Sequence, residues 1–371
     1  MQRDELGAWL RLVMAPGLGP VTIRRLLGAF GLPAQVLAQP DAALGQHLSA
    51  AQLRALRAIP ADWQAQCASS WDWLQAADAT QPRAILALGD ARYPAALLQA
   101  PDPPPLLWAA GLLPASWPPA VSVVGSRNPT PQGLALARGF GEAFAQAGVT
   151  VVSGLARGVD GAAHAGALDA AAPDRLATVA VVGTGLDRVY PAVHRELAHR
   201  IARAGLLLSE YPLGTGPLAG NFPRRNRLIA ALGQGTLVVE AALRSGSLIT
   251  ARLAAELGRE VYAVPGSVHA PQSRGCHALL REGAKLVETA QDVLEDLALP
   301  ATPTAPAAAP APQAPESPLL QALGWGPVGL DALVARTGLD AGRLQAQLLE
   351  LELAGEVARL PGSLYQRQAR A

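Results

Sequence analysis

Between Asn221 and Arg227 the chain reads Asn-Phe-Pro-Arg-Arg-Asn-Arg, placing one aromatic ring, three guanidinium groups and two amides within seven residues. Guanidinium groups neutralise phosphates, and a ring stacks on an unpaired base. The combination suits single-stranded nucleic acid better than a small metabolite. Leu228-Ile229-Ala230-Ala231-Leu232 then reads as the start of a buried helix. That puts the arginines at or just before a helix N-terminus, where free backbone N–H groups favour anions. Taken alone, the stretch fits equally a solvated face whose arginines pair with acids. The loops elsewhere in the chain weigh between the two.

Those loops follow short Val-rich runs. They are Gly125-Ser126-Arg127-Asn128, then Ser153-Gly154-Leu155-Ala156-Arg157-Gly158-Val159-Asp160-Gly161, then Gly183-Thr184-Gly185-Leu186-Asp187-Arg188 with Val189-Tyr190-Pro191 behind it. Glu210-Tyr211-Pro212, Glu240-Ala241-Ala242-Leu243-Arg244-Ser245-Gly246-Ser247 and Pro265-Gly266-Ser267 complete the set. Glycines let backbone N–H groups approach a phosphate, hydroxyls add donors, and Arg127, Arg157, Arg188 and Arg244 add charge. Any one of them is more simply a tight turn. Six together, most with an Arg or Ser, are harder to explain that way.

The elements that must carry these loops are strands and helices in alternation. Strands are expected over residues 121–125, 149–153, 177–182, 206–209, 236–240, 260–264 and 284–287, continuous rather than alternating in hydrophobicity, as in strands buried on both faces. Helical stretches separate them, for example 133–147 and 248–257. The expectation is an α/β fold, an extended Rossmann-like, doubly wound parallel sheet, in which ligands bind beyond the carboxyl ends of the strands.

Composition narrows the function. Half of the 371 residues are hydrophobic, 16% are charged, and the net charge is +1, so any nucleic-acid site is a local concentration of charge. The single lysine is Lys285, which leaves phosphate contacts to Arg, backbone and hydroxyls. Cys67 and Cys276 form neither a metal-ligand pattern nor a disulfide framework. No signal segment or membrane-spanning run is evident, and a reducing, cytoplasmic setting fits best. No G-x-G-x-x-G opens the first helix, and no G-x-x-x-x-G-K-[ST] or G-x-S-x-G occurs, so dinucleotide binding, ATP hydrolysis and serine hydrolysis are not expected. His164, His194, His269 and His277 lack metal spacing. His164 reads as a packing residue near the second loop, and Asp160 as a helix N-cap or an arginine partner. Neither cofactor nor metal is expected.

Five regions divide the chain: a helical domain over 1–80, a connection over 81–119 that is proline-heavy from 101, a core over 120–298, an Ala/Pro linker over 299–317 of disordered composition, and a small domain over 318–371. Near the N-terminus, Pro16-Gly17-Leu18-Gly19-Pro20 reads as a turn between two helices. It fits a helix–hairpin–helix whose turn takes a phosphate flanked by Arg24 and Arg25, or a plain packing turn. In the last region, helices over 329–335 and 341–353, with Asp340 as N-cap, precede a hairpin over 356–366, a winged-helix pattern. The second helix carries Glu350 and Glu352 against Arg343, which favours a protein-contact or regulatory role over duplex readout.

The motifs GSRNPTPQG (125–133), SGLARGVDGAAHAGAL (153–168), VVGTGLDRVYP (181–191), SEYPLGT (209–215), NFPRRNRLIAAL (221–232) and VVEAALRSGSLITARLAAELGREVYAVPGS (238–267) resemble those of the DNA-processing protein A family (DprA, also called Smf). RGCHALLREGA (274–284) resembles a further segment of it. The resemblance implies a non-enzymatic core that binds single-stranded DNA, dimerises and helps load RecA onto incoming strands in natural transformation and homologous recombination. It also implies a sterile-alpha-motif-like N-terminal domain. Carried over by position, Arg127 and the 221–227 cluster hold phosphates and Phe222 stacks on a base. With the loop donors, the expected DNA-binding residues are Gly125, Ser126, Arg127, Ser153, Gly154, Arg157, Gly183, Thr184, Asn221, Phe222, Arg224, Arg225, Asn226, Arg227, Arg244 and Ser245. Two departures stand out. Pro217-Leu218-Ala219-Gly220 offers no basic residue where members often have one, which shifts weight to Arg224 and Arg225. His277 stands where members usually have Asn.

A rival reading comes from Rossmann-like proteins of the lysine-decarboxylase-like (LOG) type, which cleave nucleotides at the N-glycosidic bond. Leu232-Gly233-Gln234-Gly235-Thr236-Leu237-Val238-Val239-Glu240 echoes part of their P-G-G-x-G-T-x-x-E stretch, without the first Pro-Gly-Gly and with one residue more before the acid. Glu240 reads rather as an arginine partner at a strand end.

Overall fold

The computed structural model describes residues 1–78, 81–299 and 317–368. Most of the expected linker, residues 300–316, lies outside them. Val-rich runs form the centre of a nine-stranded sheet: β1 (Arg83–Ala87), β2 (Leu106–Gly111), β3 (Ala120–Val124), β4 (Thr150–Ser153), β5 (Thr178–Val181), β6 (Leu206–Ser209), β7 (Gly235–Val238), β8 (Glu260–Ala263) and β9 (Lys285–Leu286). Their order is β1-β2-β6-β5-β4-β3-β7-β8-β9, parallel from β6 through β9. The chain winds outward from β3 to β6 and returns beside β3 as β7. The point where the winding reverses therefore lies between β3 and β7.

The pleat sends alternate residues to opposite faces. Val121 and Val123 pack with Phe140 and Phe144 of the helix Pro131–Gln146 and with Val159 of the helix Val159–Asp169. Ala120 and Val124 join Leu228, Ile229 and Leu232 of the helix Asn221–Leu232 on the other face. Each buried Val or Leu contributes about 1.5–3 kcal/mol. This two-sided burial explains why the strands read as continuous apolar runs.

The region over 81–119, expected to be an irregular connection, instead carries β1 and β2. They pair antiparallel with each other, and β2 pairs antiparallel with β6. The prolines flank these strands instead of interrupting them: Pro105 immediately precedes β2 and Pro114 follows it. The two strands also fasten the N-terminal helices. Leu6, Trp9 and Leu10 of the helix Arg3–Met14 pack on Ile85, Ala87 and Trp108. Arg24 and Arg25 do not flank a free turn. They donate to the carbonyls of Ala100 and His47, respectively.

At the other end, helices Pro318–Leu323, Leu330–Thr337 and Ala341–Leu353 pack with a small sheet that includes the hairpin Val357–Leu360 and Leu364–Arg367. Asp340 caps the last helix by accepting from the Arg343 N–H at 3.0 Å. That helix exposes Leu349, Glu350, Glu352 and Leu353 to solvent.

Candidate nucleic-acid interface

The Asn-Phe-Pro-Arg-Arg-Asn-Arg stretch forms the first two turns of the helix Asn221–Leu232 itself, rather than a segment before it. Pro223 sits in the first turn, where its missing N–H costs nothing. Helical spacing then fans the side chains in different directions. Phe222 is half-buried, with its ring against the backbone of Gly183: a Cβ at that glycine would lie 3.1 Å from the ring. The Asn221 amide fixes this approach by donating to the Gly183 carbonyl at 3.1 Å.

Beside Phe222 stands Tyr190, 46% exposed, with ring centroids 5.3 Å apart and planes tilted by 37°. The Arg127 guanidinium lies 6.0 Å from the Phe222 centroid, at the outer range of a cation–π contact. Arg127 is exposed and, among the described residues, its side chain makes no hydrogen bond or ion pair. Arg157, Arg224 and Arg244 share that condition. Two rings and an unspent cation thus come together over the carboxyl ends of β3 and β5. The sequence singled out the loop holding Tyr190 but not its ring. The signal available was an aromatic between a Val and a Pro in a strand-end loop. Its pairing with Phe222 is a tertiary contact 32 positions apart in the chain.

Arg225 and Arg227, expected to hold phosphates, are committed elsewhere. Arg225 is 3% exposed and donates to the carbonyl of Gly154 at 2.6 Å and to that of Val181. Burial lowers its guanidinium to about 10, opposed by the nearby Asp160 carboxylate. Burial likewise raises the Asp160 carboxyl, against the attraction of Arg225 and of the N–H groups of Gly154 and Ala156, which donate to it at 3.1 and 3.2 Å. Arg227 pairs with Glu210 and, at 3.2 Å, with Asp102. Arg225 braces the helix against the loop after β4, and Arg227 braces it against the loop after β6 and against Asp102.

That loop has further supports. Leu155 adopts a left-handed backbone with φ of 57°, uncommon for a branched residue. Its N–H donates to His164 Nε2 at 3.3 Å, and its carbonyl accepts from His194 Nδ1 at 3.1 Å. The Thr178 hydroxyl donates to Val151, so His164 Nδ1–H donates to Thr178 at 2.7 Å and the imidazole is neutral. Burial, with His194 and Arg225 nearby, pushes His164 down to about 3. A structural role for His164 holds. Asp160 sits one residue inside the helix Val159–Asp169, whose N-cap is Gly158, so it neighbours Arg225 and does not cap.

Other expected donors also serve the scaffold. The Ser153 hydroxyl donates to Val123 at 2.6 Å and is fully buried, and Thr184 is 1% exposed with its hydroxyl aimed at the Arg188 carbonyl. The Ser126 hydroxyl accepts from the Asn128 N–H at 3.1 Å, and Gly125 packs on Val159. Asn226 donates to Gly246 at 3.3 Å, which joins the Phe222 helix to the Arg244–Ser245 loop after β7. Ser245 caps the helix Gly246–Glu256. His277 Nε2 lies 3.0 Å from the Gly266 carbonyl, holding the loop after β8.

Between β3 and β7 a Rossmann-like sheet would usually offer a phosphate site at the first helix N-terminus. Here Glu240 fills it. Its carboxylate accepts from the Thr130 N–H at 2.9 Å and the Thr130 hydroxyl at 2.6 Å, and it sits where a Cβ on Gly133 would be, 2.5 Å away. Glu240 is thus a partner of Thr130 rather than of an arginine. Burial raises its carboxyl, partly offset by Thr130.

Among the described residues no group of His, Cys, Asp or Glu could hold a metal ion, and no helix is long and apolar enough to cross a membrane. Residues 84–298 match the family described as DNA recombination-mediator protein A, and residues 303–363 match the DprA winged helix domain. Protein Smf of Escherichia coli (strain K12) is 43% identical over 313 residues, covering 82% of this chain and 81% of that one. The solved DNA processing protein A of Streptococcus pneumoniae superposes with a TM-score of 0.60 at 36% identity, over 77% of this chain and 95% of that one. The Helicobacter pylori DNA processing protein A, solved for its single-stranded DNA binding mode, gives 0.52 at 32% identity, over 58% and 95% of the two chains.

Proposed function

We propose, since this chain belongs to the DNA recombination-mediator protein A family, that it binds single-stranded DNA over the carboxyl ends of β3 to β5 and passes the strand to RecA during transformation and recombination. Bases stack against Phe222 and Tyr190, and phosphates run over Arg127, Arg157 and Arg224. The observation that carries this reading is the unpaired Arg127 guanidinium over the half-buried Phe222 ring, with Tyr190 beside it. A ring accepts any base, and a free guanidinium accepts any phosphate, so binding is sequence-tolerant and salt-sensitive. Duplex DNA keeps its bases stacked inside and is disfavoured. The protein works in the cytoplasm as a homodimer, without catalysis.

Fluorescence anisotropy of a labelled oligothymidine against an equal-length duplex, over a salt series, tests the reading. Single-strand preference that falls with salt and with Arg127→Ala is expected, and equal binding to duplex would sink it. Earlier onset of RecA ATPase on strands coated with single-strand-binding protein tests the hand-over. The rival N-glycosidase reading needs Glu240 free, whereas both of its oxygens are engaged by Thr130. Adenine release from AMP that disappears in Glu240→Gln would restore that reading.

A further inference from the structure

Two clefts flank the Phe222–Tyr190 site, and their charges differ. One, of about 960 Å³, lies between the N-terminal helices and the loop after β6. Its lining sets Asp62, Asp102 and Glu210 against Arg224 and Arg227, and Arg227 is already paired with two of those acids. The other, of about 590 Å³, lies between the helix Trp63–Gln75 and the helix Arg195–Ala204. Arg83, Arg188, Arg195 and His199 line it with one acid, Asp187. Val189 and Ala192 line it too, so the loop bearing the exposed Tyr190 ring forms its border.

The basic side chains of the second cleft are not equivalent. Arg83 is held by Trp73, through the carbonyl at 3.1 Å and the ring at 5.3 Å, and Arg188 is held by Asp187 at 3.2 Å. Arg195 and His199 are exposed and, among the described residues, their side chains make no hydrogen bond or ion pair. They stand one helical turn apart, so they share a face. Arg195 opens its helix, and a 3-10 turn over Ala192–His194 leads into it, with the Arg195 backbone N–H donating to the Ala192 carbonyl.

We propose that this cleft is a second subsite for single-stranded DNA, which takes the sugar-phosphate backbone of the nucleotides beyond the Phe222–Tyr190 stack. The proposal rests on the reading of that stack as the base site. A phosphate leaving Tyr190 meets the unpaired Arg195 guanidinium and the His199 imidazole on this side, and on the other three carboxylates set against Arg224 and the already paired Arg227. The strand therefore runs toward Arg195 and His199. The cleft touches phosphate alone, so the subsite adds affinity and length dependence but no sequence preference.

The test compares oligothymidines of about 6 and about 20 nucleotides, lengths that bracket common single-strand site sizes. The full chain is used, as wild type, Arg195→Ala/His199→Ala and Arg195→Lys. The double alanine variant is expected to bind the short strand as wild type does and the long strand more weakly, with the salt slope lowered by about 0.7 for each phosphate no longer neutralised. Arg195→Lys keeps most of the slope. Equal weakening on both lengths, unchanged binding of both, or weaker binding with an unchanged slope would each overturn the subsite. Wild-type protein that binds neither length would remove the base site and this subsite together. Wild-type binding that the double variant leaves intact removes only the subsite.

Discussion

Arg224 is exposed and unpaired, while Arg225, its neighbour on the same helix, lies beneath the loop after β4 with its guanidinium on two carbonyl oxygens. One residue of helix rotation separates a group available to a phosphate from one that holds the site together. The same division runs through the whole region. Arg127, Arg157 and Arg224 form a free rim, and Arg225, Asp160, His164 and His194 form a floor under the Gly154–Ala156 backbone. A cluster of arginines in sequence is therefore not a cluster of ligands. The floor holds the loop in a conformation that Leu155 would not choose by itself, and the rim uses the surface so fixed.

The sharpest way to break this contrast is Arg225→Ala. It leaves Asp160 buried without its neighbouring cation and two carbonyls without a donor. A loss of about 3–5 kcal/mol in urea unfolding is expected, and a loss below about 1 kcal/mol would move Arg225 out of the floor.

The floor also predicts a pH dependence. His164 is held at about 3 when folded, against an ordinary 6.5. Its stabilising contribution is complete above pH 6.5 and declines as pH falls toward 3, because the unfolded chain takes up a proton that the folded one refuses. Asp160, Glu210 and Glu240, whose carboxyls are raised by burial, act with the opposite sign. Each favours folding below its ordinary value and loses that contribution as pH rises through the folded one. The difference between wild type and His164→Gln isolates the imidazole. The unfolding free energy from urea titrations should gain less, or lose more, between pH 5 and pH 7.5 in the variant than in wild type, by about 2 kcal/mol. Parallel pH profiles would show that His164 does not carry the effect.

The rim changes binding and leaves stability nearly alone. Phe222→Ala should cost about 1–3 kcal/mol in single-strand affinity. Tyr190→Ala should cost less, and the double variant less than the sum, because the rings touch. Full additivity would mean that they serve separate bases. The smallest effect belongs to Arg224→Ala: an unchanged melting temperature and a salt slope lower by about 0.7. An unchanged slope would take Arg224 off the phosphate path.

Much of this organisation follows from sequence alone. Short Val-rich runs separated by helical stretches dictate a parallel sheet, because a strand covered on both faces has no polar side to display. Glycine and serine at the ends of those runs mark the edge where ligands bind. The Phe222 ring among arginines names the ligand chemistry, and Asp340 before an apolar helix marks the start of that helix. Tertiary structure decided the rest. It chose which arginines stay free, since helix periodicity separates Arg224 from Arg225 but only the position of the β4 loop determines which face is covered. It placed β2 within a proline-heavy segment, where pairing with β1 and β6 outweighed a composition that reads as irregular. It brought Tyr190 to Phe222 across the Gly183 backbone. It also set Glu240 on Thr130, filling with an internal carboxylate the place where related sheets receive a phosphate. Each of these depends on contacts between distant parts of the chain, and local composition and spacing carry no record of such contacts.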